Sequence, residues 1–404
     1  MAARRAVVVD VVRSPFGRGR SAGALAGLHP VDLYAQVLRA LIERTGIDPV
    51  LVEDLITGCV IQVGEQAGNI GRQAVLAAGW PESVPAVTLD RKCGSAQQAF
   101  DFAAQGVIAG AYDVVVAGGV ECMGMVPMRA NRLGRDADGL MFKKRYPQGL
   151  VRQGISAELI AARWNLTRAA QDAFALRSHR RAAEAEDAGI TGRAIVPIDV
   201  PRENGIYVRV ERDEGLRRDT SLEKLAALKP TFIDPVMAER FPQIRWSVTA
   251  GNSSQISDGA VAILIVEERM AEKLGLTPRA SIHHFAVVGD DPLLMLAGVI
   301  PATRKLLQRA GLKPHDIAVY EVNEAFASVP LAWLREFDVD PDRVNPFGGA
   351  IALGHPVGAS GGRLLANLLE ALETHDGRWG VQTMCESGGM ANATLFENLR
   401  HRSR

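Results

Sequence analysis

Short, wholly apolar runs alternate along this chain with segments of helical period, and that alternation carries most of the fold. AVVVDVV (6–12) predicts a strand, and the glycine-rich SPFGRGRSAGALAGL after it predicts a surface loop. Asp32 opens a helix through LYAQVLRALIERTG that Gly46 closes. VEDLITGCVI is a second strand, NIGRQAVLAAG a helix ended by Gly79, VPAVTLD a third strand, GSAQQAFDFAAQGVIAG a helix of small residues, and YDVVVAGGVE a fourth strand. Strands alternating with helices imply a parallel α/β layer.

Between about Cys122 and Thr249 charges cluster, strands thin out and helices such as TRAAQDAFALRSHRRAAEAED dominate. This stretch predicts an inserted domain, 122–249, which interrupts an N-terminal α/β half (1–121, completed by about 250–270). TAGNSSQISDGAVAILIVEE returns to the earlier character, and PATRKLLQRAG, IAVYEVN and VQTMC predict a second α/β half over 271–404. The halves echo each other. TLDRKCGSAQQAF and VNPFGGAIALGHPVGASGGRLLA each place a candidate reactive group at a strand-turn-helix junction, and VVVAGGVECMGM resembles VQTMCESGGMAN in outline. A duplication of this kind sets both junctions on one cleft.

Composition narrows the function classes. A length of 404 residues fits two or three domains at roughly 150 residues each. Lys+Arg and Asp+Glu both number 46, so no global field recruits nucleic acid or an anionic membrane, and an acidic ligand must be met locally. No apolar run reaches membrane-spanning length, and Arg13 and Pro15 follow the first strand where a secretory leader would have a cleavage site. The terminal HRSR is not a peroxisomal address. Cys59, Cys93, Cys122 and Cys385 include no CxxC pair, which argues against a zinc site or disulfide framework and for reduced thiols in a cytoplasmic protein.

Four residues could carry chemistry. Cys93 stands where a helix begins, and unpaired N–H groups there favour a thiolate; Gly94, Ser95 and Ala96 clear the approach to it. A buried cysteine serving as a small hydrophobe fits the same letters. His355 is the one imidazole in NPFGGAIALGHPVGASGG (345–362), with Pro356 fixing the turn and Ser360 placed to cap the next helix. It is either a base for Cys93 or a satisfied core histidine in a tight turn. Cys385, before paired glycines in MCESGG, suits a proton-transfer group beside a bound carbonyl. Asn323, at a strand end, can orient a water or an oxyanion, or serve structure alone. Arg129, Arg132, Arg135, Lys143, Lys144 and Arg145, interleaved with Asp136 and Asp138, read as a solvated loop.

RKCGSAQQAF, EVNEAFAS, GGAIALGHPVGAS and MCESGGMANA, in this order and together with QDAFALRSH and TAGNSSQISDGA, resemble the thiolase family essentially end to end. The resemblance implies a duplicated five-layered αβαβα core with an inserted, mainly helical loop domain, assembled as a homodimer or homotetramer. It implies an acetyl-CoA C-acyltransferase that cleaves a 3-ketoacyl-CoA with CoA, with coenzyme A as substrate and no separate cofactor or metal. Cys93 would be acylated, His355 would take its proton, and Cys385 would protonate the departing acetyl-CoA carbanion. His355 and a water on Asn323 would hold the enolate oxygen, and the backbone N–H groups of Cys93 and Ser387 the thioester oxygen. Arg217, Leu228 and Ser254 would contact CoA.

Two departures from the family pattern stand out. Ser387 replaces the first of three glycines and would be strained if its backbone were left-handed. Arg152 and Gln153 replace a pocket-facing His-Met pair of short-chain members, which points to a longer or bulkier acyl chain, as in actinobacterial degradative members. The alternatives are an acetyl-CoA C-acetyltransferase making acetoacetyl-CoA, a decarboxylating ketoacyl synthase, against which Cys385 speaks, and a non-catalytic acyl-CoA or lipid binder.

Overall fold

The computed structural model describes residues 4–402. Ala2 and Ala3 before the first strand, and Ser403 and Arg404 of the HRSR tail, lie outside the described residues. The main elements of the first half are β1 (Ala6–Arg13), α1 (Pro30–Thr45), β2 (Leu55–Gly58), α2 (Ile70–Ala77), β3 (Ala86–Leu89), α3 (Ser95–Ala109) and β4 (Val114–Cys122). The following segment carries α4 (Gln153–Arg163), α5 (Arg168–Asp187) and a small ribbon of Ile198–Pro201 with Tyr207–Val210. The remainder comprises β5 (Ser257–Glu267), β6 (Ala280–Gly289), α6 (Val299–Ala310), β7 (Val319–Val322), α7 (Ser328–Glu336), α8 (Ser360–Thr374), β8 (Trp379–Glu386) and β9 (Met390–Asn398).

Pairing order shows the repeat. The first half runs β3-β2-β4-β5-β1 and the second β7-β8-β9-β6. In the first half two parallel pairs (β3 with β2, β2 with β4) and in the second one (β7 with β8) are followed by two antiparallel pairs. The halves join edge to edge where Val7 and Val8 of β1 pair with Ser281 and Ala280 of β6, so the strands form one continuous sheet. Strands β6 and β9 are additional to those expected above.

Three apolar cores separate five layers. One lies between α1, α2 and the first-half strands, with Leu33, Leu38, Val75, Val116 and Leu264. Another lies under α6 and α7, with Leu306, Trp333, Val381 and Leu395. The central one holds α3 and α8 back to back between the halves, with Ala99, Phe100, Leu365 and Leu369. Strands β4 and β5 are buried throughout, which is why they read as unbroken apolar runs instead of alternating ones.

Helix α1 starts two residues before Asp32, with His29 as its cap and Pro30 in its first turn, and ends at the left-handed Gly46. The expected surface loop after β1 is largely an internal lining: Ser14 and Phe16 are buried and Gly17–Arg18 pair with β5. Phe16 fills space opened by Gly259, where a Cβ would stand 2.3 Å from its ring. Buried Arg13 holds Asp213 of the inserted segment through two 2.7 Å hydrogen bonds. Arg279, in the link between halves, grips Glu370 and Glu373 of α8, each at 2.7 Å.

The central layer depends on Gly361, where a Cβ would lie 2.5 Å from the backbone nitrogen of Gln97. Because that atom belongs to a helix, the clash cannot be relieved by a rotamer change. Gly361→Ala should cost about 2 kcal/mol of stability by overpacking, read as a lower urea midpoint at unchanged slope.

Candidate active site

The turn after β3 holds Cys93 in a constrained bend. Lys92 has left-handed φ of 50°, fixed by its N–H to Asp90 Oδ1 at 2.7 Å and by Ser95 Oγ donating to its carbonyl at 2.7 Å. Cys93 lies two residues before the first residue of α3 and is 4% exposed, in an apolar cluster with Val357, Leu364 and Met384 from the second half. Burial pushes its thiol well above the usual range, and charge on Cys385 or Glu386 pushes it further; its own N–H pulls the other way. The helix start therefore does not make a resting thiolate, contrary to the sequence expectation. Desolvation outweighs the partial charge of one helix end.

His355 follows a short helix, Ala350–Leu353, so it stands between two helices and not at the expected strand-to-helix junction. Its backbone N–H bonds Gln255 O at 3.1 Å and Ser257 Oγ at 3.0 Å. Ser360 was expected to cap α8 but gives no cap bond; its hydroxyl donates to Pro356 O at 2.8 Å and so accepts from His355 Nδ1–H at 2.5 Å. Those two bonds fix the tautomer and leave Nε2 as a bare acceptor, buried with no partner among the described residues. Burial, with Arg363 second, lowers the imidazole to about 3, so it rests neutral.

Cys385, the penultimate residue of β8, is fully buried. Asn323 Nδ2 donates to its sulfur at 3.7 Å, while Asn323 Oδ1 has no partner among the described residues. Burial raises this thiol to about 12, offset in part by Asn323. Ser387 opens the turn to β9, whose left-handed angles fall on Gly388 (92°) and Gly389 (77°) and not on the serine. The strain feared at Ser387 is absent.

A polar frame holds these pieces. The Glu121 carboxyl, at the end of β4, accepts from the N–H groups of Val60 (2.8 Å) and Ile61 (3.1 Å) and from Gln66 (2.7 Å). Gly358 N–H also reaches it, and burial lifts it to about 7. Behind His355, Ser178 of α5 donates to Glu324 at 2.7 Å and accepts from Gly349 N–H at 3.0 Å. Glu121 and Glu386 went unremarked in the sequence. The signal was there: each is a carboxylate closing an apolar strand beside a cysteine.

A cavity of about 180 Å³ opens beside the histidine loop, lined by Arg217, Lys224, Leu228, Gly251, Gln255 and Ile351 among others. Arg217 and Leu228 thus come together, whereas Ser254 is half-buried, donates its N–H to Ala325 O at 3.0 Å and is not part of that lining. His179 accepts from the Arg217 N–H at 3.2 Å and is lowered to about 4 by burial and that arginine. Arg152 is exposed at the start of α4 and is not part of that lining. The basic loop is exposed, with Lys143 paired to Asp136 at 2.5 Å. No cluster of His, Cys, Asp or Glu among the described residues is arranged to hold a metal ion.

Comparison with known proteins gives a consistent picture. The model of the thiolase N-terminal domain matches residues 6–269, and that of the C-terminal domain residues 276–398. A steroid 3-ketoacyl-CoA thiolase, FadA6, of Mycobacterium tuberculosis is 47% identical over 98% of this chain and 94% of its own. A 3-ketoacyl-CoA thiolase of Yersinia pestis is 43% identical over 97% of this chain and 99% of its own. The crystal structure of the Bacillus anthracis acetyl-CoA acetyltransferase superposes with a TM-score of 0.88 at 36% identity, covering 98% of this chain and all of that one.

The locked imidazole can be checked by nitrogen NMR. His355 should show a protonated Nδ1 and a bare Nε2, with no titration between about pH 5 and 8, where a free histidine ionises. Ser360→Ala should give a mixture of tautomers. Its folded pKa lies below the unfolded one, so this histidine's contribution to stability is present above about pH 6.5 and declines as pH falls toward about 3.

Proposed function

The chain belongs to the thiolase family, and from that premise we propose that it cleaves a 3-ketoacyl-CoA with CoA, giving acetyl-CoA and a shortened acyl-CoA. The observation that carries the proposal is the unpartnered Nε2 of His355, a base with its tautomer already chosen. Cys93 Sγ attacks the keto carbon while Nε2 removes its proton, so no standing thiolate is needed. The bond between the keto carbon and the α-carbon then breaks. Its electron pair stays with the acetyl-CoA fragment, which Cys385 protonates, with Asn323 donating to that sulfur. The thiol of a second CoA attacks acyl-Cys93 and releases the shortened acyl-CoA.

The backbone N–H groups of Cys93 and Ser387 are the donors for the thioester oxygen, and donors of this kind lower a barrier by about 3 kcal/mol each. Coenzyme A is a substrate here, with no separate cofactor. Its anionic tail is assigned to the cleft of Arg217, Lys224 and Leu228, and Ser254, outside that lining but next to Gln255 in the chain, is proposed as a further contact. The name of the mycobacterial relative supports a bulky, apolar acyl group. A homodimer or homotetramer is supported by the free edge of β3, which leaves Val87 exposed, and by Phe102 on the adjoining helix. No described helix is long and apolar enough to cross a membrane, and a cytoplasmic setting accords with four unpaired thiols.

Incubation with acyl-CoA should leave an acyl adduct on Cys93, located by mass spectrometry and absent in Cys93→Ala; wild-type protein without an adduct would favour a binder over an enzyme. His355→Ala should reduce CoA-dependent cleavage by about a thousandfold. Across 3-ketoacyl-CoA substrates of increasing bulk, kcat/KM should rise from acetoacetyl-CoA. A maximum at acetoacetyl-CoA would return the choice to the acetyltransferase.

A further inference from the structure

Glu386 takes no part in the steps above, yet it sits against both turns that carry the reactive thiols. It follows Cys385 on β8, and its Oε1 would stand 2.0 Å from a Cβ placed on Gly94, the residue after Cys93. The side chain is fully buried, and neither carboxyl oxygen has a hydrogen-bond partner among the described residues. A third orphan acceptor crowds the same spot: Asn392 Oδ1 lies 3.2 Å from that Cβ position and also lacks a partner.

The hydrogens of the Asn392 amide are committed elsewhere, to Gln98 Oε1 and Asp101 Oδ2, both at 3.2 Å. Three acceptors therefore face one another with no donor between them. A proton on Glu386 supplies the missing donor, since a protonated carboxyl can give a hydrogen bond where a carboxylate cannot. Burial reinforces this state, while the charged neighbours divide, with Arg91 the strongest of them. Asp101 on α3 and Asp90 on the nucleophile turn oppose its charge; Arg91 alone favours it, and the Arg91 guanidinium contacts Met390 Sδ at 3.9 Å. Charge on Glu386 in turn opposes thiolate formation at both Cys93 and Cys385.

We propose that Glu386 is a positioning residue that acts through the thiol pair: neutral during turnover, and on ionising it opposes the negative charge that develops on Cys93 and Cys385 as their protons leave, and so limits the reaction at alkaline pH. The proposal rests on the assignment of Cys93 as nucleophile. Its test needs no turnover and no CoA, so a failure of either can be told from a failure of the other.

Full-length protein is alkylated with iodoacetamide from about pH 7 to about pH 10, and the adduct on Cys93 is followed by mass spectrometry. A lone thiol gains about tenfold in rate for each pH unit below its pKa. In the wild type the rise should flatten near the ionisation of Glu386, at about 9, then resume. In Glu386→Gln the rise should continue without a pause, so the ratio of variant to wild-type rate should grow by about tenfold across the range. Parallel curves for the two proteins would overturn the proposal, as a purely structural role would change both limbs alike. Should Glu386→Gln not fold, the wild-type curve decides alone: an unbroken tenfold rise per unit overturns the proposal, and a plateau upholds it.

Discussion

The site depends on backbone meeting backbone without side chains between. The carbonyl of Gly358, three residues past His355, lies against the ends of two strands of the other half. A Cβ on Gly58 would come within 2.8 Å of that oxygen and one on Gly119 within 2.1 Å, while a Cβ on Gly358 would meet the Val120 carbonyl at 2.5 Å. Only glycine allows this approach, and Glu121 fastens it by accepting from both sides. The histidine loop of the second half is thereby held beside the first-half turn that carries Cys93. The duplication supplies two similar halves, and the missing side chains let them close on one another.

Tight closure also sets the protonation states. Desolvation raises both thiols and lowers the imidazole to about 3, so the two sulfurs and the imidazole rest uncharged. A proton moving from sulfur to imidazole creates an ion pair where none stood. Such a pair is unfavourable in isolation, but in a low-dielectric site it is strongly stabilised by neighbouring donors aimed at the developing charge. Preorganisation here means fixed hydrogen bonds and tautomers, not standing charges.

Much of the fold could be seen in the letters because its strands are apolar on both faces and its helices end at glycines such as Gly46 and Gly110. Strands β6 and β9 were less visible. SIHHFAVV carries two histidines in mid-strand, and MANATLF mixes small polar with apolar residues, so neither shows an unbroken run or clean alternation. At the site, residue types and order pointed to Cys93, His355, Cys385 and Asn323, and the structure adds their partners. Sequence could not say that Ser360 would orient a histidine instead of capping a helix, or that burial would overrule a helix end at Cys93. Both outcomes depend on what the other half of the chain covers. Arg152 illustrates the same limit, since its exposure is set by packing and not by its place in a motif.

The near-complete burial of Cys93, Cys385 and His355 bears on how long an acyl-enzyme would last. A thioester in open solvent is lost to water as well as to thiols, and water is far more abundant. With Cys93 at 4% exposure, few water molecules can stand in line for attack, whereas a long ligand anchored by its distant end can deliver its own thiol. Dryness thus separates a transferase from a hydrolase: it conserves the energy of the activated acyl group until the right acceptor arrives.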